Sequence, residues 1–363
     1  MKALVVTIFD ISQNYGNKLQ NYAVIKILNK LGIDTVETFT NGRKEFNYKY
    51  LLEYSIAKVT GFRIVKSPER WKNTFKKKIL FEQFNKEYLS PVNGKIENLN
   101  NRYDYFAAGS DQIWNPGWIN EKNKDLYLLN FCEKRKKITV APSFGVDKFP
   151  QDMCATFKEA LLGIENISVR EDRGAEFVFE ICGKTAAVLI DPTLMLSQKE
   201  WLEIKKEPKF DYKSFKYILV NFLAGMSSET KRFIDELSQE NNLQIIDLQD
   251  VSKPAYITGP CEFIELIDCA SLVLTDSFHT CAFSILFNKP FIAFPRNGSE
   301  DNMQSRIGCL LKKLGLQDRS KKNIEKKDIL KTNYETAYET LDQEREKMKD
   351  FLLLSFKDKN AAF

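Results

Sequence analysis

Residues 3–8 form a near-continuous apolar run, the pattern of a strand buried on both faces of a parallel sheet. A polar, turn-prone stretch follows. Then Leu19, Ala23, Val24, Ile27, Leu28 and Leu31 recur at three- and four-residue spacing, which predicts a helix over 18–31 with Gly32 as its C-terminal cap. Residues 35–39 predict a second strand and complete a βαβ unit. Residues 42–100 break this rhythm. Within them, 69–89 reads as a basic helix carrying Trp71, Phe75, Ile79, Phe84 and Tyr88 on overlapping faces, hence a helical insertion. Further strands are predicted at 103–108, 137–141, 167–170 and 187–190. The polar, charged stretch 205–214 reads as a linker. Beyond it, strands at 217–222, 244–248, 272–275 and 291–294 alternate with helices at 228–240, 260–270 and 277–287. Helices at 304–314 and 333–354 close the chain.

Two successive α/β series predict an α/β protein with two Rossmann-like domains facing across a cleft. The N-terminal domain is expected over 1–204 with the insertion at about 42–100, the C-terminal domain over 215–332, and a charged C-terminal helix over 333–363. The length of 363 residues agrees with two domains. Ligands are expected in the cleft, at the carboxyl ends of the strands. A composition of 43% apolar and 28% charged residues is that of a globular protein. No run reaches the roughly 20 apolar residues of a membrane span. The opening MKALVVTIFDIS reads as a strand rather than a signal peptide, so a cytoplasmic location is expected. A net charge of +5 permits an anionic small molecule and is too small to argue for nucleic acid. The seven cysteines form no CxxC pair; Cys269, Cys281 and Cys309 lie in apolar runs and are expected as core thiols. No metal-ligand cluster is visible, and no metal is expected. The chain has one histidine, His279, which any imidazole chemistry must use.

Four places carry candidate chemistry. In Thr275-Asp276-Ser277-Phe278-His279-Thr280 a buried strand gives way to a helix that Ser277 or Asp276 can cap. Its free N–H groups favour an anion, and His279 lies in its first turn. In Ile167-Ser168-Val169-Arg170-Glu171 an arginine leaves a strand end, able to hold a carboxylate or phosphate bidentately, or to pair with Glu171 or Asp172. Gly109-Ser110-Asp111-Gln112-Ile113-Trp114-Asn115 offers hydroxyl, carboxylate and amide groups for a polyol, a general base in Asp111, or a self-bonded Asx turn. Asn14-Tyr15-Gly16-Asn17-Lys18 precedes a helix without a GxGxxG or Walker spacing. Arg306 is a further anion contact near a helix start, and Asp191-Pro192-Thr193 reads as a hinge. Lys76, Lys77 and Lys78, beside Trp71 and Phe75, read as a solvated helix face or as a peripheral contact to an anionic membrane.

Taken in order, these segments, with Leu19-Gln20-Asn21-Tyr22-Ala23, Ala141-Pro142-Ser143-Phe144-Gly145 and Ser305-Arg306-Ile307, resemble the polysaccharide pyruvyl transferase family over roughly residues 3–315. Thr280 departs from the glycine expected after the histidine, which would narrow the anion pocket. The resemblance implies a fold like that of GT-B glycosyltransferases. It also implies transfer of a pyruvyl group from phosphoenolpyruvate (PEP) to two hydroxyls of a sugar, giving a ketal, with PEP as donor substrate and no cofactor. The family's donor-binding arginine and histidine map onto Arg170 and His279. On this reading Arg170, His279, Ser277 and Arg306 bind the donor, and His279 and Asp111 serve as acid and base. Asn14, Gly16, Asn17, Ser110, Asp111 and Gln112 meet an acceptor that would be lipid-linked at the inner membrane face. Two other readings use the same cleft: a glycosyltransferase taking a nucleotide sugar, for which residues 249–259 offer only Asp250 and Gly259, and a non-catalytic binding protein of a polysaccharide locus.

Overall fold

The structure is a computed structural model and describes residues 1–9, 13–40, 68–296, 302–331 and 333–360. Two parallel sheets dominate it. The first has the order β3-β2-β1-β4-β5, formed by β1 (Lys2–Val6), β2 (Thr35–Phe39), β3 (Pro91–Val92), β4 (Tyr105–Ala108) and β5 (Lys137–Thr139). Its helices are α1 (Tyr15–Lys30), α2 (Pro68–Tyr88), the short α3 (Lys124–Tyr127) and α4 (Cys154–Leu162). A separate two-stranded parallel ladder, β6 (Ser168–Val169) with β7 (Ala187–Val188), encloses α5 (Asp172–Cys182) and is followed by α6 (Gln198–Leu202). The strands expected at 167–170 and 187–190 are thus two residues each and stand outside the main sheet.

The second sheet runs β11-β10-β8-β9, from β8 (Tyr217–Asn221), β9 (Gln244–Asp247), β10 (Leu272–Thr275) and β11 (Phe291–Ala293). It carries α7 (Ser228–Asn241), α8 (Pro260–Cys269) and α9 (Phe278–Leu286), and the chain closes with α10 (Asn302–Lys313) and α11 (Glu335–Asn360). Both sheets are wholly parallel with helices against them, so the expected pair of Rossmann-like units is present.

The pleat explains how the halves join. In β1, Ala3 and Val5 point to one face and Leu4 and Val6 to the other. Ala3 and Val5 enter a core that continues through Leu19, Ala23 and Leu28 of α1 to Tyr217 and Leu219 of β8. Leu4 and Val6 pack outward with Phe106, Trp114 and Phe144. Ile218 and Val220 face a third cluster with Leu274 and Ile292. Trp201 binds the halves further: its ring lies 5.4 Å from Tyr22 and 4.8 Å from Phe283, and its Nε1 donates to the Thr193 carbonyl.

Residues 205–214 are not a free linker. Lys205 pairs with Glu265 and Asp268 of α8, and the buried Tyr212 donates to Glu265. α11 returns to the first half, where Phe356 packs edge-on against Tyr105 and Arg345 donates to the Leu194 and Leu196 carbonyls. Residues 42–67 of the expected insertion lie outside the described residues; α2 is described, and it bridges the halves. Phe81 and Phe84 meet Tyr15 and Tyr22, while Asn73 donates to the Val251 carbonyl. This placement overturns part of the basic-surface reading. Lys77 is only 2% exposed, its ammonium lying 4.8 Å from the Tyr15 ring centre and 4.5 Å from that of Tyr256. Cys281 is buried as expected, but Cys269 and Cys309 are exposed, because each sits on the outward side of an amphipathic helix.

Candidate active site

The cleft is built from strand ends. α1 begins at Tyr15, three residues before the expected Lys18, because Asn14 caps it: the Asn14 side chain accepts from the Asn17 N–H at 3.2 Å. Asn17 is buried and donates through Nδ2 to the Ile8 carbonyl at 2.7 Å. Asn14 and Asn17, expected to meet the acceptor, are therefore committed to shaping the turn. Gly16 has a different task. A Cβ there would lie 2.0 Å from Nδ1 of His279, so only glycine lets the helix come this close to the imidazole.

On the opposite side, β10 ends at Thr275 and Ser277 caps α9, accepting from the Thr280 N–H at 3.5 Å. Ser277 is thus used as a cap, the first of the two roles its position suggested. His279 falls in the first turn, as the sequence predicts, with Nε2 3.5 Å from Oδ2 of Asp191. Thr280 does not narrow the pocket. Its hydroxyl accepts from Asn221 at 2.9 Å and faces the second sheet. Asp276 turns away from the first half and accepts from the Leu223 and Ala224 N–H groups at 2.7 and 3.2 Å.

Asp191, expected at a hinge, lies at the centre. Its Oδ1 accepts from the Thr193 N–H and hydroxyl at 2.9 and 2.7 Å, and its Oδ2 accepts from Nη1 of Arg170 at 2.6 Å. Burial alone would raise this carboxyl; His279 and Arg170 beside it hold it well below the usual carboxylate range. Burial likewise works against the Arg170 charge, but Asp191, Glu171 and Asp111 outweigh it and raise its pKa. The Arg170 guanidinium also lies 4.8 Å from the ring centre of Phe278. Glu171 is not its close partner. One Glu171 oxygen accepts from the Ser143 hydroxyl and the Phe144 and Gly145 N–H groups, fixing the 143–145 loop, and the other stays 3.9 Å from Arg170.

The third wall follows β4. Asp111 adopts a left-handed φ of 60°. Gln112, with its amide oxygen turned toward α10, accepts from Nη1 and Nη2 of Arg306 at 3.0 and 2.8 Å. Asp111 stands 3.9 Å from the same guanidinium. Burial, and then the nearby Arg170 charge, pull Arg306 down to about 10, so it stays a cation at neutral pH. Ser110 is fully buried and donates to the Ala141 carbonyl, so it cannot meet an acceptor sugar. A cavity of about 300 Å³ opens beside these groups, with Arg170, Asp191, Phe278 and Arg306 at its charged end and Ile190 and Leu194 as an apolar wall. Of the expected site residues, the fold brings Arg170, His279, Arg306, Asp111, Gln112 and Gly16 together. Sequence reasoning missed Asp191; its signal was an acid at the carboxyl end of a strand, the same placement that singled out Arg170.

The family model of polysaccharide pyruvyl transferases matches the chain over residues 14–298. The chain belongs to this family. The matched span holds His279, Arg170, Asp191 and Asp111, and Arg306 lies just beyond it. No curated protein matches this pyruvyl transferase family member. Among solved structures it is similar to a UDP-N-acetylglucosamine 2-epimerase from Rickettsia bellii, at 11% identity over 100% of this chain and 98% of that one, with a TM-score of 0.48. It is also similar to the UDP-GlcNAc 2-epimerase from Neisseria meningitidis, at 12% identity over 98% and 100%, with a TM-score of 0.42. A glycosyltransferase from Rickettsia africae stands at 12% identity over 100% and 99%, with a TM-score of 0.43. Family membership rests on the family match, not on these likenesses.

Proposed function

We propose that the chain transfers the pyruvyl group of PEP to two hydroxyls of a sugar in a polysaccharide precursor, forming a ketal and releasing phosphate. The observation that carries this reading is the convergence of two buried guanidiniums, Arg170 and Arg306, on a single small cavity, with the one imidazole close by against the cavity-lining Asp191. Nη2 of Arg170 is buried with no hydrogen-bond partner among the described residues, because Nη1 alone is committed to Asp191. A buried donor left open in this way suits an incoming anion. PEP is small, carries a carboxylate and a phosphate, and has an apolar methylene end that fits the Ile190 and Leu194 wall.

In this mechanism Arg170 holds the carboxylate and Arg306 the phosphate. His279 gives a proton to the methylene carbon, whose π electrons form the new C–H bond, while a sugar hydroxyl attacks C2 and loses its proton to Asp111. The C2–O bond to phosphate then breaks with its electron pair on the phosphate, and the second hydroxyl attacks C2 to close the ketal, its proton passing to the His279 ring left neutral by the first step. Two further features favour PEP over a nucleotide sugar. In the crevice between β8 and β10, where a diphosphate would approach backbone N–H groups, the Asp276 carboxylate already takes those of Leu223 and Ala224. Arg296, 3.7 Å from Asp276, is turned to the same acid.

The test is phosphate release from PEP in the presence of candidate sugar acceptors. His279→Ala and Arg170→Ala are each expected to lower turnover about 10²-fold or more, a loss of roughly 2.7 kcal/mol of transition-state stabilisation. Near-wild-type turnover in either folded variant would remove that residue from the mechanism.

A further inference from the structure

We propose that Gln112 is a positioning residue that draws the Arg306 guanidinium of the second half toward Arg170 and holds it there without neutralising it, so that the cavity prefers a doubly charged anionic group at Arg306. The inference rests on the donor reading above and adds to it the residue that sets the charge met by the phosphate end.

The two arginines arrive from different halves of the chain. Arg170 follows β6 and is held by the Asp191 carboxylate at 2.6 Å. Arg306 lies on α10, and both residues are buried and line the same cavity. Burial, and then the charge of Arg170, lower Arg306 to about 10, so the two cations feel one another. Holding like charges together in a water-poor site needs a restraint. Gln112 supplies one from the first half: its amide oxygen accepts from Nη1 and Nη2 of Arg306 at 3.0 and 2.8 Å. One oxygen seated in that fork takes one N–H from each terminal nitrogen, of the five that a guanidinium carries.

Gln112 is itself braced. It is 5% exposed, and its carbonyl accepts from the Asn115 N–H at 3.0 Å. Beside its amide stands Gly145, with a φ of 63°, where a Cβ would fall 2.5 Å from that amide. Glu171 pins the 143–145 loop through the Ser143 hydroxyl and the Phe144 and Gly145 N–H groups. The Ser143 N–H in turn donates to the Asp111 carbonyl at 2.8 Å. The anchor behind Arg306 is therefore rigid, and it is an amide where the anchor behind Arg170 is a carboxylate. The acid beside Gln112, Asp111, stays 3.9 Å from the Arg306 guanidinium. A glutamate at 112 would reach the same two nitrogens and bond them more strongly, but it would also cancel charge at the cavity wall. The two ends thus suit different anions. A carboxylate fits the Arg170 end, which already has a counter-charge, and a phosphate dianion fits the Arg306 end.

The test is calorimetry at pH 8 with two probes of one shape. Methyl phosphate is a dianion there, its second ionisation lying at about pH 6. Methyl sulfate is a monoanion. The wild type is expected to bind methyl phosphate about tenfold or more tightly than methyl sulfate. Gln112→Glu keeps both hydrogen bonds and adds one negative charge. It is expected to bind methyl phosphate about tenfold or more weakly than the wild type does, and to lose most of the preference over methyl sulfate. A merely structural role predicts the opposite, because the stronger anchor would hold Arg306 at least as well. Gln112→Met removes the anchor with little change in volume and is expected to weaken both probes. Equal affinity of the wild type for the two probes, or binding of neither, overturns the proposal whatever becomes of the variants. So does a folded Gln112→Glu protein with wild-type affinity and preference, or a Gln112→Met protein with wild-type affinity. Phosphate release from PEP separates this proposal from the reading it rests on. A dianion preference without PEP turnover sinks the transfer reading and leaves the role of Gln112 in place, and turnover without the preference does the reverse.

Discussion

His279 is gripped from both sides, by Asp191 at Nε2 and by the bare backbone of Gly16 at Nδ1, and the two contacts differ in what they tolerate. Gly16→Ala puts a methyl group where the imidazole stands, so the ring must leave its position. By helix propensity alone the same change favours α1 by up to about 1 kcal/mol. Activity is therefore expected to fall about 10²-fold or more, through loss of a preorganised group, while the protein stays folded. Circular dichroism and turnover measured together check this; a fully active Gly16→Ala protein would show that the imidazole does not need its observed place. At this scale the sequence was legible where chemistry is local. A histidine in the first turn after a buried strand, and an arginine at a strand end, were both visible as candidates. The purpose of Gly16 and of Asp191 was not, because each is defined by a partner from a distant part of the chain. Ser110 and Asn17 misled for the same reason: a polar residue after a strand looks available until the backbone carbonyl that takes its hydrogen bond is known.

Among the elements, α2 shows most clearly what periodicity leaves out. Its aromatic residues fall on overlapping faces, and Lys76, Lys77 and Lys78 read as a solvated face or a contact to an anionic membrane. The helix instead lies between the halves and buries Lys77 against Tyr15 and Tyr256, near the Leu248 carbonyl. Burial lowers this ammonium to about 7, against the pull of Asp247. The linked stability has a definite sign. Between about 7 and the unfolded value of ~10.4, the unfolded chain binds the extra proton, so stability rises with pH over that window, and below it the full cost of the buried charge is present. The thermal midpoint of the wild type is expected to rise from pH 7 to pH 9 relative to that of Lys77→Met. Parallel midpoints across this range would contradict the assignment. The buried strands β1, β4, β8 and β10 were readable because strands covered on both faces are apolar throughout. The ladder of β6 and β7 was read as longer strands because apolar runs do not reveal which sheet a strand joins, or whether it joins one. The stretch 205–214 looked like a linker because it is charged, yet those charges are what pin it to α8.

In the whole molecule, the two sheets share one core through α1, and α11 returns across the second half to pack on the first. The site lies where α1, α9, α10 and the ends of β4 and β6 meet, so neither half holds it alone. His279 and Arg306 come from one side, and Arg170, Asp191, Asp111 and Gly16 from the other. The arrangement is preassembled, with acids behind its cations, and it is suited to a small anion with two charged ends. The most direct measurement is isothermal calorimetry of the purified chain with PEP and, separately, with UDP-sugars. PEP is expected to bind at one site per chain, Arg170→Ala to weaken this binding at least tenfold, and UDP-sugars to bind no better than free UDP. Saturable binding of a UDP-sugar, with none of PEP, would contradict it.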